Sequence, residues 1–256
     1  MLRFKNLGSG STGNATLIEV TGHRPTRLLV DCGLGLRKLS SRLAEAGLAE
    51  DAVDAIFITH EHSDHIGCAR QFALRHRVPV WMSRGTHEGI GSPDFDGLLQ
   101  TARDGQIFSM GDLQITPFTV PHDAREPLQL TCSDGATKLG VLTDLGHATA
   151  HLLAHLVGCN ALLLECNHDT DLLAQSAYPP FLKKRVGGLY GHLSNDAASA
   201  IARSIAHTGL KCLVAAHLSQ QNNRPDLARL AMNEALGSRA EVVVADASVG
   251  TRWIAV

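Results

Sequence analysis

The sequence predicts an α/β protein in which two β-sheets pack face to face with helices outside. Three observations predict it. A strand-rich block followed by helices occurs once in each half of the 256-residue chain. Apolar residues make up 44% of it, enough for a sizeable core and too many for disorder. Histidines and acids recur directly after buried, β-branched runs, at the strand ends where α/β architectures place their ligands. One large domain spanning residues 1–256 is the expected organisation.

The first half opens with strands at Arg3–Leu7 and Ala15–Val20, joined by the Gly/Ser loop Gly8–Asn14. That loop is either a tight turn or a backbone brought close to a site, being longer than a two-residue hairpin requires. Arg27–Asp31 is a third strand, and Leu34–Ala46 has helical apolar spacing stopped by Gly47. Ala55–Ile58 reads as a short buried strand, Ile66–His76 as a helix and Val78–Met82 as a strand. Arg84–Gly105 is expected to be loop and irregular helix. Two hairpins follow, Gln106–Ser109 with Leu113–Val120 and Leu128–Cys132 with Lys138–Leu142.

The second half alternates helix and strand: Ala148–Leu156 helical, Ala161–Glu165 extended, Tyr178–Val186 helical past its prolines, Asp196–His207 helical and Cys212–Ala216 extended. Helix Asp226–Leu236 and strands Glu241–Ala245 and Thr251–Val256 close the chain. No internal repeat by identity and no low-complexity linker interrupts it.

Net charge is −2 with histidine neutral, so nothing overall marks a nucleic-acid binder. A phosphate-rich partner would have to be held by local charge or by metal. The six cysteines form no C-x-x-C pair and read as small buried hydrophobes in a reducing compartment. No signal-peptide core or membrane-length apolar run is present, so a cytoplasmic, soluble enzyme without membrane contact is expected. Oligomeric state is not written in the sequence.

Fourteen histidines outnumber the aromatic residues, and Thr59–Gly67, THEHSDHIG, concentrates three of them with two acids: His60, Glu61, His62, Asp64 and His65. Imidazole with carboxylate suits zinc, manganese or iron. Further metal-type residues end other strands: His122, Asp144, His168 and His217. His23, His76, His87, His147, His151, His155 and His207 read as surface or core residues instead.

H-x-H-x-D-H followed by a distant His, an Asp and a last His resembles the metallo-β-lactamase superfamily, over nearly the whole chain. The resemblance implies a four-layer αββα sandwich with two divalent metal ions between the sheet edges. Carried over, His60, His62 and His122 hold the first ion, Asp64, His65 and His217 the second, and Asp144 bridges both. Asp144 stands where zinc-dependent β-lactamases commonly have another residue, which disfavours antibiotic hydrolysis. Within the superfamily, SGSTGN, LLVDCG, THEHSDHIG, PHDA, TDLG, CNHD, YPPFLKKRV, GHLSN and HLSQQNN occur in the order seen in the YycJ/WalJ-like nucleases. GHLSN is also similar to a segment of ribonuclease Z that assists phosphodiester cleavage.

These likenesses imply a DNA exonuclease in which a hydroxide bridging the metals attacks phosphorus. Asp64 would orient that hydroxide, and His192 would protonate the leaving oxygen or steady phosphoryl charge. For His192 the rival is a purely structural place at a helix entry. Candidate substrate contacts are Ser11 (with Ser9 and Thr12), His168, Lys183 (with Lys184 and Arg185), Asn222 and Asn223 (with Arg224). His168 and Asp169 read equally as partners of a ligand, and Lys183–Arg185 as a solvated helix face. A thiolester or lactone hydrolase resembling glyoxalase II is the alternative enzyme class. A metal-stabilised binding module is the non-catalytic alternative.

Overall fold

The structure, a computed structural model, describes residues 1–22 and 24–256; His23, read above as a surface or core residue, lies outside them. Its first sheet holds β1 (Leu2–Gly8), β2 (Ala15–Val20), β3 (Thr26–Val30), β4 (Ala55–Phe57), β5 (Val80–Met82) and β6 (Leu99–Thr101). The second holds β7 (Phe108–Met110), β8 (Leu113–Thr119), β9 (Leu128–Ser133), β10 (Lys138–Leu142), β11 (Ala161–Glu165), β12 (Cys212–Ala216) and β13 (Glu241–Val244). The last strand, β14 (Ile254–Ala255), returns to the first sheet beside β1, giving the orders β14-β1-β2-β3-β4-β5-β6 and β13-β12-β11-β10-β9-β8-β7.

Each sheet is antiparallel on one side and parallel on the other. Pairing is antiparallel through β1-β2-β3 and becomes parallel through β3-β4-β5-β6. It is antiparallel through β8-β9-β10 and parallel through β10-β11-β12-β13. The halves therefore share a plan that their sequences share only as pattern.

Period-two alternation builds the layers. Leu28, Val30, Ala55 and Phe57 face Leu128, Leu130, Val141 and Leu163 in one cluster between the sheets. Their neighbours Leu29 and Ile56 point outward, onto Leu39 and Leu43 of α1 (Leu36–Glu45) and Phe72 of α3 (Ala69–His76). On the other side Leu162, Leu164 and Leu213 pack against Leu152 of α5 (Ala150–Leu156), Ile201 of α8 (Asn195–Ile205) and Met232 of α9 (Pro225–Leu236). Strands buried on both faces explain the near-continuous apolar runs in β4, β11 and β12. The αββα sandwich is thus the observed architecture.

Several boundaries differ from the sequence expectation for identifiable reasons. The helix expected over Ile66–His76 is divided into α2 (Ser63–Ile66) and α3. Gly67 breaks it with φ of +30°, and a Cβ there would meet the Gly33 Cα at 2.7 Å, so two loops cross at near contact. Within Arg84–Gly105 lie α4 (Arg84–Gly89), capped by the Ser83 side chain, and edge strand β6. Strand Gln106–Ser109 shifts to Phe108–Met110, where Phe108 stacks on Trp81 at 3.8 Å and closes the seam between the sheets. Asp169 caps α6 (Thr170–Gln175), a helix the periodicity did not reveal, and α7 (Pro180–Val186) begins just after Pro179. The final strand contracts from Thr251–Val256 to Ile254–Ala255. No helix among the described residues is long and apolar enough to cross a membrane.

Candidate metal centre

Donor side chains converge at one end of the sandwich, from strand ends of both sheets. His60 follows β4, with the short helix α2 carrying Asp64 and His65 just beyond it. His122 follows β8, Asp144 follows β10, and His217 follows β12 with φ of +56°. His60, His65, His122, Asp144 and His217 are buried, while His62 and Asp64 keep some exposure at the cleft.

Two groups of donors result. His60 Nε2 lies 3.0 Å from His62 Nδ1, and His122 Nε2 lies 3.3 Å from the same atom. His65 Nε2 lies 2.6 Å from Asp144 Oδ2, and Asp64 Oδ2 lies 3.6 Å from His65 Nε2 and 3.7 Å from His217 Nε2. Asp144 touches both groups, through His60 Nε2 at 3.5 Å and through His217 Nδ1.

Hydrogen bonds on the far sides of the rings assign their tautomers. His122 Nδ1 faces the Gly191 carbonyl at 3.1 Å and must donate to it, so Nε2 presents its lone pair. His65 Nδ1 donates to Asp31 Oδ2 at 2.7 Å, with the same consequence. His217 Nδ1 lies against carboxylates, and its Nε2 is buried with no hydrogen-bond partner among the described residues. Lone pairs and carboxylate oxygens pointed at one another repel unless cations lie between them. The donor set therefore fits divalent metal, His₃ on one side and His₂ with carboxylate on the other.

Without metal, protons take the place of the cations on some of these rings, and protein groups alone set the charges. Burial opposes the charged form of His65, but Asp144 and Asp31 outweigh it and push its pKa up to about 10. His217 is driven up against the same burial by Asp144, while burial and the neighbouring His65 hold His60 well below its ordinary value. Burial would raise Asp144, yet His217 and His65 pull its carboxyl far down.

A profile of the Beta-lactamase superfamily domain matches residues 26–218. The chain belongs to the metallo-β-lactamase superfamily. Exodeoxyribonuclease YycJ of Bacillus anthracis is 32% identical to it over 240 residues, covering 92% of this chain and 89% of that protein. Exodeoxyribonuclease WalJ of Streptococcus pneumoniae serotype 2 is 32% identical over 236 residues, covering 90% and 86%. In fold, the metallo-β-lactamase fold protein YhfI of Bacillus subtilis superposes with a TM-score of 0.76 over 99% of this chain and 98% of its own, at 19% identity. This superfamily member is accordingly a YycJ/WalJ-like enzyme.

Two carboxylates that motif reasoning did not single out organise the centre. Asp31, at φ of +60° after β3, accepts from Thr59 N at 2.9 Å and from His65. Glu165, fully buried at the end of β11, accepts from Leu145 N, Leu193 N, His192 Nδ1 at 2.7 Å and His217 Nδ1 at 3.1 Å. The Gly/Ser loop turns out to approach the site: Asn14 Nδ2 reaches His65 Nε2 at 3.0 Å and Ser9 Oγ accepts from His217 N at 2.7 Å.

A cleft of about 380 Å³ opens over the centre, lined by Ser11, Asp64, Asp144, His192, His217 and Asn222 among others. His192 therefore reaches the cleft, and Ser194 rather than His192 caps α8. Burial opposes its charge, but Glu165 and Asp144 dominate and push its pKa up to about 10.

Other expected contacts lie elsewhere. Lys183 turns its Nζ to the Ala174 carbonyl at 2.5 Å, and Arg185 lines the cleft instead, bonded to Asp123 Oδ2 at 2.7 Å. Asn223 pairs with Asn195 and donates to the Cys166 carbonyl, a role in joining loops. His168 is buried away from the cleft lining, and its Nδ1 finds no hydrogen-bond partner among the described residues. Its expected place at the strand end is taken by Glu165.

Proposed function

We propose that this chain is a metal-dependent phosphodiesterase that removes nucleotides from DNA ends, working as one αββα unit over residues 1–256. His60, His62 and His122 would hold one divalent cation and Asp64, His65 and His217 a second, with Asp144 shared; zinc, manganese and iron all suit these donors. Such cations supply a nucleophile at neutral pH and neutralise charge on phosphoryl oxygens. Asp64, steadied by Asn14 Nδ2 at 3.3 Å, would orient the attacking water.

The observation that carries the reading is His192 beside the donor cluster. Its Nδ1 is occupied by Glu165, which leaves Nε2 as the atom available to the cleft. With Glu165 against Nδ1 favouring its charged form, it can hand a proton to a departing alkoxide or stabilise charge on the phosphoryl group. The substrate class is supported by the two exodeoxyribonucleases that match nearly end to end. Six free thiols accord with a reducing, cytoplasmic setting.

The test is a panel of duplex DNA, single-stranded DNA, RNA and thiolesters, assayed with manganese and then zinc. Release of nucleotides from DNA ends, abolished by chelation, is expected. His192→Ala should lower kcat by roughly 10²–10⁴-fold with metal content unchanged. Turnover of thiolesters but of no nucleic acid would reassign the enzyme to carbonyl chemistry. Background rates throughout would leave a binding module.

A further inference from the structure

Outside the metal centre, the most unusual surface is the lip formed by α7 and the segment that follows it. Eight large hydrophobic residues are exposed among the described residues, and three of them fall between positions 181 and 190. Phe181 is 74% exposed, Leu189 68% and Tyr190 62%, and Phe181 and Tyr190 are the only aromatics so exposed. Isolated exposed hydrophobics need no explanation, but three within ten residues do, the more so as Phe181 and Tyr190 each adjoin a residue that lines the cleft, Leu182 and Gly191.

This lip is a built feature. The Leu189 carbonyl accepts from His147 Nδ1 at 2.9 Å, the Tyr190 carbonyl from Asp123 N at 3.0 Å, and the Gly191 carbonyl from His122 Nδ1 at 3.1 Å. Its backbone is thus pinned to the very loops that carry His122 and Asp144. Leu182, one residue along from Phe181, lines the cleft, as do Arg185 and Val186. A segment held this firmly could have been covered by its own chain, yet its large side chains stay in solvent.

Charge then narrows the occupant. From Leu172 to Asn195 the chain carries Lys183, Lys184 and Arg185 and not one Asp or Glu, although the whole protein has a net charge of −2. Lys183 is turned to the Ala174 carbonyl and Arg185 is paired with Asp123 from another loop, while Lys184 is exposed. Aromatic faces interleaved with cations beside a phosphodiesterase cleft match a polyanion that carries flat, apolar rings. Every base offers such a ring, so stacking holds a strand without reading its sequence.

We propose that Phe181 and Tyr190 form a stacking platform for unpaired bases at a DNA end, seating the strand while its terminal phosphodiester enters the cleft. The proposal rests on the nuclease reading and goes beyond it by naming how the substrate is gripped. Arg185, which lines the cleft, would exchange Asp123 for a phosphate of the seated strand.

The experiment compares two oligonucleotides, one with ordinary bases at its ends and one whose terminal nucleotides are abasic, using metal-loaded wild type, Phe181→Ala, Tyr190→Ala and Tyr190→Phe. For base-bearing DNA, each alanine variant should raise KM by at least about fivefold, the lower bound for losing one base stack, with kcat unchanged. Wild type should show a similar KM penalty on abasic ends, the alanine variants little further loss, and Tyr190→Phe should behave as wild type. Equal KM values for wild type and both alanine variants on base-bearing DNA would overturn the platform while leaving the nuclease reading intact. An equal alanine penalty on abasic and base-bearing ends would also overturn it, pointing to a lip that serves another partner. Failure of the wild type to cleave any DNA would overturn both readings together.

Discussion

Replacing Glu165 by glutamine tests the organising carboxylate with almost no change of volume. Its two oxygens together accept four N–H groups, from Leu145, Leu193, His192 and His217, in a fully buried setting. A carboxamide turns one oxygen into a donor, so it faces either the Leu145 and Leu193 N–H groups, which lose their acceptor, or the two rings, where His217 keeps Asp144 and His192 loses its partner. The first case sets the upper cost. Each buried unsatisfied donor costs about 1–3 kcal/mol, so one ring or both backbone groups together cost about 1–6 kcal/mol. In a chain of this size that corresponds to a fall in Tm of roughly 2–20 °C. Losing the carboxylate also removes the leading influence that keeps His192 charged. If proton donation limits the rate, kcat at neutral pH should drop by about 10²-fold or more. Calorimetry, metal analysis and turnover on labelled duplex DNA would be read together. A melting temperature and kcat both indistinguishable from wild type would refute the assignment of Glu165 as the group that holds His192 and His217.

Asp31→Asn keeps an acceptor for the His65 ring and tolerates the left-handed backbone, so the fold should survive while metal affinity weakens about 10–100-fold in competition with a chelator. Gly67→Ala should destabilise by at least about 2 kcal/mol, seen as a lower denaturant midpoint at unchanged slope, because the new Cβ meets backbone on the adjoining loop at a strained φ. Chelated protein should lose stability as pH rises. His65 and His192 have folded values of about 10 against 6.5 unfolded, and His217 moves the same way. Their contribution is complete below pH 6.5 and disappears as pH climbs toward 10. A melting temperature for the chelated protein that rises across that window would contradict these charge states.

Much of the site was legible because metal donors declare themselves by residue type. Three histidines and an aspartate just after a buried strand have few other reasons to be adjacent, and single donors at later strand ends repeated the message. The residues that hold those donors were harder, and for two different physical reasons. Glu165 was within reach of the sequence: Leu162 and Leu164 face the helices and Leu163 faces the opposing sheet, so strict alternation puts Glu165 on the inner face, toward the converging donors. His168, just past the same strand, stands out by residue type, whereas strand phase points to Glu165. Asp31 was beyond such reasoning. Val30 faces inward, but the next residue leaves the strand at φ of +60°, a turn the chain tolerates because Asp31 N bonds the Phe57 carbonyl and its carboxylate grips Thr59 and His65. That geometry exists only once β3 and β4 are paired. Local pattern thus names the atoms that would touch a metal. What aims them depends on contacts between segments far apart in the chain, and strand phase recovers only the part of that aim which begins inside a strand.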